Sequence, residues 1–324
     1  MSLSDLPLHF LLDVGKFSPD LWRSLVLSVP RIGRWSLNKD YQKYIQTYFT
    51  QCIEYNPPNY GIFKSYRICG RLHNINGPAI EYVDGTREWY RNGKCHRDND
   101  LPAIERGNES KEWYQNGQRH RDNDLPATEW HDGSKIWFQN GKRHRDNDLP
   151  AVERPNGTKI WYQNGKSHRD GDRPAIEWGN GVRKWHRNGQ LHRDNDLPAV
   201  EFPGGTKEWW VDGQRHRDND LPAVQLSDGT MKWFQKGQLH RPKGDNDLPA
   251  VEWSNGTKSW FQDGKRHRSN DLPAIERADG TRKWYRNGQL HRDNDLPAVE
   301  LSNGTRKWYR DGQLHRDNGL PAIE

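Results

Sequence analysis

The chain is poor in the residues that build an ordinary globular core. Only 31% of its 324 residues are hydrophobic, it holds two methionines, and 16 tryptophans carry much of its apolar bulk. Burial therefore rests on a few large rings, which suits a thin repeated layer better than a globule. Cysteine is scarce as well. Cys52, Cys69 and Cys95 form no CxxC pair and no disulfide framework, which points to a reducing, intracellular compartment. No apolar run is long enough to span a bilayer, and the short run at residues 6–12 lacks a basic flank and meets Asp13, unlike a secretory signal. The sequons at Asn108, Asn156, Asn255 and Asn303 are then read as turn residues and not as glycosylation sites. Charge of one sign is also missing. Fifty Lys and Arg stand against 44 Asp and Glu, a formal charge of +6 that permits acidic partners without demanding them.

What the chain does have is repetition. A module typified by WYRNGQLHRDNDLPAVE, residues 284–300, recurs around Trp89, Trp113, Trp137, Trp161, Trp185, Trp209, Trp233, Trp260, Trp284 and Trp308. The step is 24 residues except where Pro242, Lys243 and Gly244 are inserted. A fixed period of this length predicts a stacked array in which each unit buries its apolar face against its neighbours. Two glycine turns recur in each module, such as Asp84-Gly85 and Asn92-Gly93. Both are of the kind that favours two-residue hairpins with positive φ at each central residue. The run between them, such as residues 281–285, has the length and aromatic content of one short strand. Each module is therefore expected to be a pair of short antiparallel strands with a longer HRDNDLP connection, and the Trp rings form the core. At about 4.8 Å between strands, ten such modules would extend on the order of 100 Å. The insertion at 242–244 falls in the connection, where loops tolerate it. The chain stops at PAIE in mid-module, leaving a last strand either open or covered by another chain.

Residues 1–56 differ. Ser18 and Pro19 read as a helix N-cap with proline at N1, Leu21, Trp22, Leu25 and Val26 follow helical spacing, and a further helix is expected from Tyr41 to Tyr55, stopped by Pro57 and Pro58. Residues 57–73 form a linker and a degenerate capping half-repeat, in which Tyr66 precedes His73 as Trp89 precedes His96. The β-repeat array occupies 74–324. The expected fold is thus mainly β, an elongated single-layer hairpin array with a small α-helical N-terminal domain.

Several patterns resemble chemistry. His-Arg-Asp matches a protein-kinase catalytic loop, but no Gly-rich phosphate loop, strand lysine or DFG accompanies it, and a triplet spread evenly along an array does not converge on one site. The chain is therefore read as non-enzymatic, with these residues fixing the loop. Paired aspartates such as Asp98 and Asp100 have the oxygen character of a calcium turn, but they lack the glycine density of such repeats. An Asx-turn that caps the strand and lets Asp neutralise the adjacent Arg is the better reading. One histidine per module is too sparse for zinc. No metal and no cofactor are expected. Aromatic pairs among Lys and Arg have the composition of a single-strand nucleic-acid platform. Adjacent strand residues face opposite ways, however, so Trp and its neighbour cannot line one groove.

The pattern W-Y-x-N-G-x-x-H-R-x-x-x-x-P-A followed by N/D-G-T-K resembles the MORN-type repeats, in the variant where HR precedes a GPA segment, kept here as Asn76-Gly77-Pro78-Ala79. The resemblance covers about residue 61 to 324. It implies a β-hairpin array that serves scaffolding, partner binding or membrane-lipid association, without catalysis. The N-terminal piece resembles a divergent F-box in Leu6-Pro7, the helical positions Leu21, Leu25 and Val29, and Trp35; Leu8 and His9 stand where that family often has an acidic residue. The combination is similar to expanded families of large DNA viruses of amoebae. It implies a substrate adaptor whose head, through Leu6, Pro7, Leu21, Trp22 and Leu25, docks the adaptor subunit of a cullin-type ubiquitin ligase while the array holds an unknown target. The implied setting is the cytoplasm of an infected host cell or the virion. The alternative is a structural or virion-associated scaffold that self-associates through its array and uses the head as a cap. Nucleic acid ranks below protein as a partner. Membrane lipid ranks last, because the basic positions form no continuous stripe.

Overall fold

The computed structural model describes residues 51–54, 62–68, 71–74, 76–241 and 247–324. Every regular element among them is a β-strand, and all pairings are antiparallel. The proposed docking residues Leu6, Pro7, Leu21, Trp22 and Leu25 lie outside the described residues, as do the helices expected before residue 51. One correction falls at the end of that region. Strand β1 (Gln51–Glu54), placed by helical periodicity in the last turn of a helix, pairs with β2 (Ile62–Ile68), Cys52 opposite Tyr66. Apolar residues at helical spacing cannot exclude a strand over so short a run. β2 pairs in turn with β3 (Arg71–Leu72) and β4 (Ile80–Tyr82), which leads into the repeats.

The chain divides into two units, Met1–Pro155 and Asn156–Glu324. The same module builds both. In the first, Ile104–Glu105 and Lys111–Glu112 form one hairpin of a continuing ladder; Trp113 then breaks the strand, and Tyr114–Gln115 with Gln118–Arg119 form a second hairpin in a sheet of its own. The HRDNDLP connection returns the chain to the ladder at Thr128–Glu129, which pairs with both Lys111–Glu112 and Lys135–Ile136. The second unit repeats the ladder from Lys159–Ile160 to Arg306–Lys307. There Ile323 bridges Lys307, and Arg306 and Glu324 exchange backbone hydrogen bonds. Each module thus carries two hairpins, where the periodicity suggested one pair of strands. The five-residue run is not one strand, because the Trp N–H leaves the local ladder to donate to an alanine carbonyl ahead, as from Trp113 to Ala127 at 2.8 Å.

The two glycine turns also differ from each other, which the shared Asn-Gly and Asp-Gly pairs concealed. In the second, both central residues have positive φ, 51° at Asn92 and 78° at Gly93, the two-residue hairpin geometry. In the first, only Gly85 does, at 85°; Tyr82 N–H donates to Thr86 and Gly85 N–H to Tyr82. That is a three-residue loop ending in a left-handed residue, and the Asp84 carboxylate tightens it by accepting from Thr86 N–H at 2.8 Å. A third reversal hides in the connection, where Asn99 and Asp100 both take positive φ and Leu101 N–H reaches Asp98 O.

The core is a file of Trp and Ala. The ten module tryptophans are 5–9% exposed, and the alanines of LPA, from Ala103 to Ala298, are essentially inaccessible. Val or Ile follows each of these alanines in most modules and is buried beside the second hairpin: Tyr90, Tyr114 and Cys95 close over Ile104. Burial pushes the Cys95 thiol up to about 12, which keeps it protonated and unreactive at neutral pH.

Candidate partner-binding face

The residues that looked chemical hold the modules together. Arg193 lies over the Trp185 ring, its guanidinium carbon 3.8 Å from the centroid, and forks onto Asp172 of the preceding module at 2.7 and 3.0 Å. Its remaining Nη1 donates to Pro198 O and the Glu201 carboxylate, both at 3.1 Å. Trp185 Nε1 donates to the backbone oxygen of the same Asp172. One aspartate is therefore held twice, by its carboxylate and by its carbonyl, across a module boundary. The Arg193 hydrogen bond holds the Asp172 carboxyl below the usual carboxylate range. The arrangement recurs in most modules, including Arg268 and Asp247 after the insertion. It corrects one expectation: the second aspartate neutralises the arginine of the next module and not the adjacent one.

Histidine completes the link. Asn188 N–H, in the following module, donates to Nδ1 of His168, which places the proton of the neutral ring on Nε2, 2.9 Å from Asp170. Buried Thr and Ser hydroxyls join successive first turns, as Thr86 Oγ1 does by accepting from Gly107 N–H. Both aspartates of the loop thus have protein cations or imidazoles as partners. Among the described residues no group of three or more His, Cys, Asp or Glu is placed to hold a metal, and no helix is long and apolar enough to cross a membrane.

These linking residues are nearly invariant between modules, and the variation lies elsewhere. It concentrates at the residue before the core Trp, the aromatic residue after it, the residue six beyond it, and the residue after the PA-x-E glutamate. Side-chain contacts place all four on the side of the ladder away from the Trp–Arg file. Glu112, before Trp113, accepts from Arg106, Arg119 and the Tyr114 hydroxyl. Arg119 also lies 5.5 Å from the ring centroids of both Tyr114 and Phe138, so guanidinium and aromatic groups alternate from module to module. Trp210, Glu208 and Arg215 repeat the cluster. Exposed aromatic residues add to it, Trp178 at 45% and Phe202 at 38%.

In six of the ten modules the variation is coupled. Glu112 is followed seven residues later by Arg119, and Glu208 by Arg215; Lys184, Lys232, Lys283 and Lys307 are each followed at that distance by Leu. Like charges are thereby kept apart at positions that touch. This seven-residue coupling was available in the sequence and marks the face before any coordinates do. On the opposite side the ladder presents a plain alternation of charge, Glu201 between Arg183 and Lys207, for example.

No protein-family model matches the chain, and no curated protein matches it, so the resemblance to MORN-type repeats rests on the motif itself.

Proposed function

We propose that the chain is a non-enzymatic repeat scaffold that mediates protein–protein interaction. The observation that carries this reading is the division of labour within the module. Residues that join modules are kept, while four mutually contacting positions on one side exchange Glu, Ile, Lys, Ser, Arg, Leu and aromatics. Aromatic and Arg side chains interleaved on a rigid surface have the composition of protein recognition hot spots. Repeat arrays present such surfaces without moving parts.

In the fuller reading the head docks the adaptor subunit of a cullin-type ubiquitin ligase, and the array presents the target. Its support is the F-box-like placement of Leu6, Pro7, Leu21, Trp22 and Leu25, and the setting is the interior of an infected cell or a virion. Titration of the purified adaptor subunit with the full chain tests it. Replacing Leu21, Trp22 and Leu25 by Ala should abolish binding while the melting transition of the array is unchanged. Binding that survives these substitutions contradicts the docking role and leaves the head as a cap.

A further inference from the structure

One stretch of the variable face keeps the arginines but has a small serine in place of the glutamate. Ser259 occupies the position of Glu112, and the seven-residue partner is still an arginine, Arg266. Arg277 directly follows the next ladder strand, Ile275–Glu276, and is exposed, like Arg266. Lys283 and Lys307 follow on successive modules. Among the described residues, no ion pair involves Arg266, Arg277, Lys283 or Lys307, whereas Arg106 and Arg119 are both paired with Glu112. The four cations are close enough to act together: burial first, and then the Arg277, Arg266 and Lys307 charges, hold Lys283 below its ordinary range.

The exchange of Glu for Ser also opens space. A groove of about 490 Å³ lies between Trp253, Ser259, Arg266, Ile275 and Arg277. Ser259 is fully buried at its floor, and its hydroxyl has no hydrogen-bond partner. Arg266 is held at its rim, 5.6 and 5.7 Å from the Phe261 and Tyr285 ring centroids. The groove therefore combines a buried hydroxyl without a partner beneath it, two guanidinium groups outside any ion pair and one aromatic wall, Trp253. The chain itself shows what such a place accepts. At the equivalent position the Glu112 carboxylate is fully buried, with Arg106 and Arg119 on it within 3.0 Å.

We propose that this groove, resting on the scaffold reading above, binds an acidic peptide segment of a partner protein, one of whose carboxylates takes the place that Glu112 fills internally. Arg266 and Arg277 receive the carboxylate, the small Ser259 side chain leaves it the room that Glu112 fills, and Trp253 flanks the adjoining apolar side chain. Lys283 and Lys307 extend the attraction to further acidic residues of the segment. A peptide is favoured over a nucleic acid because the internal precedent is a carboxylate, and because the site is a groove of one module's depth and not a platform of successive exposed rings.

The test measures fluorescence anisotropy of a labelled peptide of alternating Glu pairs and Leu, its Gln-for-Glu counterpart, and labelled oligodeoxythymidylate, each titrated with the full chain at low and high salt. The acidic peptide should bind at least about tenfold more tightly than the Gln peptide, since charge-assisted bonds carry the contact. Arg266→Gln with Arg277→Gln should weaken it about tenfold, and Lys142→Gln with Lys166→Gln, the same charge change elsewhere, should not. Ser259→Glu should abolish binding while leaving the melting temperature unchanged or raised, because Glu is already accommodated at residues 112 and 208. The proposal is overturned if the wild-type chain ignores the acidic peptide, if the arginine variant binds it unchanged, if Ser259→Glu still binds it, or if the oligonucleotide binds more tightly. Loss of the acidic-peptide signal alone leaves the scaffold standing, provided partners are still captured through other modules. Failure of the scaffold reading would instead show as no protein partner at any module.

Discussion

The Arg193 guanidinium lies 3.8 Å above the Trp185 ring while gripping Asp172 of the module before it. Stacking and fork geometry depend on a planar, delocalised cation, which lysine cannot supply. Arg193→Lys keeps the charge and should nevertheless cost about 2 kcal/mol, from lost cation–π contact and one lost charge-assisted bond. Chemical denaturation monitored by Trp fluorescence checks this. The exposed Lys207→Arg exchange should be neutral by the same measure.

Ala199 accepts the Trp185 backbone hydrogen bond and has no accessible surface. A larger side chain there has to displace its neighbours. Ala199→Leu should destabilise by about 1–3 kcal/mol through overpacking, although it raises hydrophobicity. Hydrogen exchange should show the loss confined to the modules around Trp185 and Trp209, because array units couple chiefly to their neighbours.

Glu109 ends a first turn at φ 70°, where the other modules place glycine. A residue with a Cβ pays about 1 kcal/mol or more in this region, partly offset by the greater flexibility glycine brings to the unfolded chain. Glu109→Gly should therefore stabilise by about 0.5 kcal/mol. Thermal unfolding of the two chains compares them directly, and a fall in melting temperature would show that the Glu109 side chain contributes more than its backbone costs.

His186 replaces the Tyr or Phe that most modules place after the core Trp. Burial, then the Lys184 charge, lowers it to about 4, and its Nε2 has no partner. Its folded value lies below the ordinary 6.5, so its contribution to stability is complete above pH 6.5 and declines as pH falls from there to about 4. His186→Tyr should remove that part of the decline. Denaturant midpoints of both chains between neutral pH and pH 4 should diverge as pH falls.

Most of the fold was legible in the sequence because the period is strict and the turns carry their own signals. The unbroken register of Trp89 through Trp308 could only be a stacked array, and Asn-Gly at 92–93 could only be a tight reversal. What stayed hidden depends on contacts between modules. The same dipeptide chemistry serves two different turns at Gly85 and Gly93, and the choice is made by Thr86 hydrogen-bonding back to Asp84. That Asp172 belongs to Arg193 and not to Arg169 is a fact of stacking that one module read alone does not contain. The candidate face was readable in principle through the Glu112–Arg119 and Lys184–Leu191 couplings, but only once the repeats are compared position by position.

The measurement that tests the account most directly is quantitative capture of protein partners from cell lysate by three full-length chains. One is unaltered, one carries Trp178→Ser, Phe202→Ser and Trp253→Ser on the variable face, and one carries Lys207→Ser, Lys258→Ser and Arg282→Ser on the opposite side. The account predicts that the array-dependent partners are lost from the second chain and kept by the third, with all three melting alike. Equal capture by the second chain, or loss from the third alone, would contradict it.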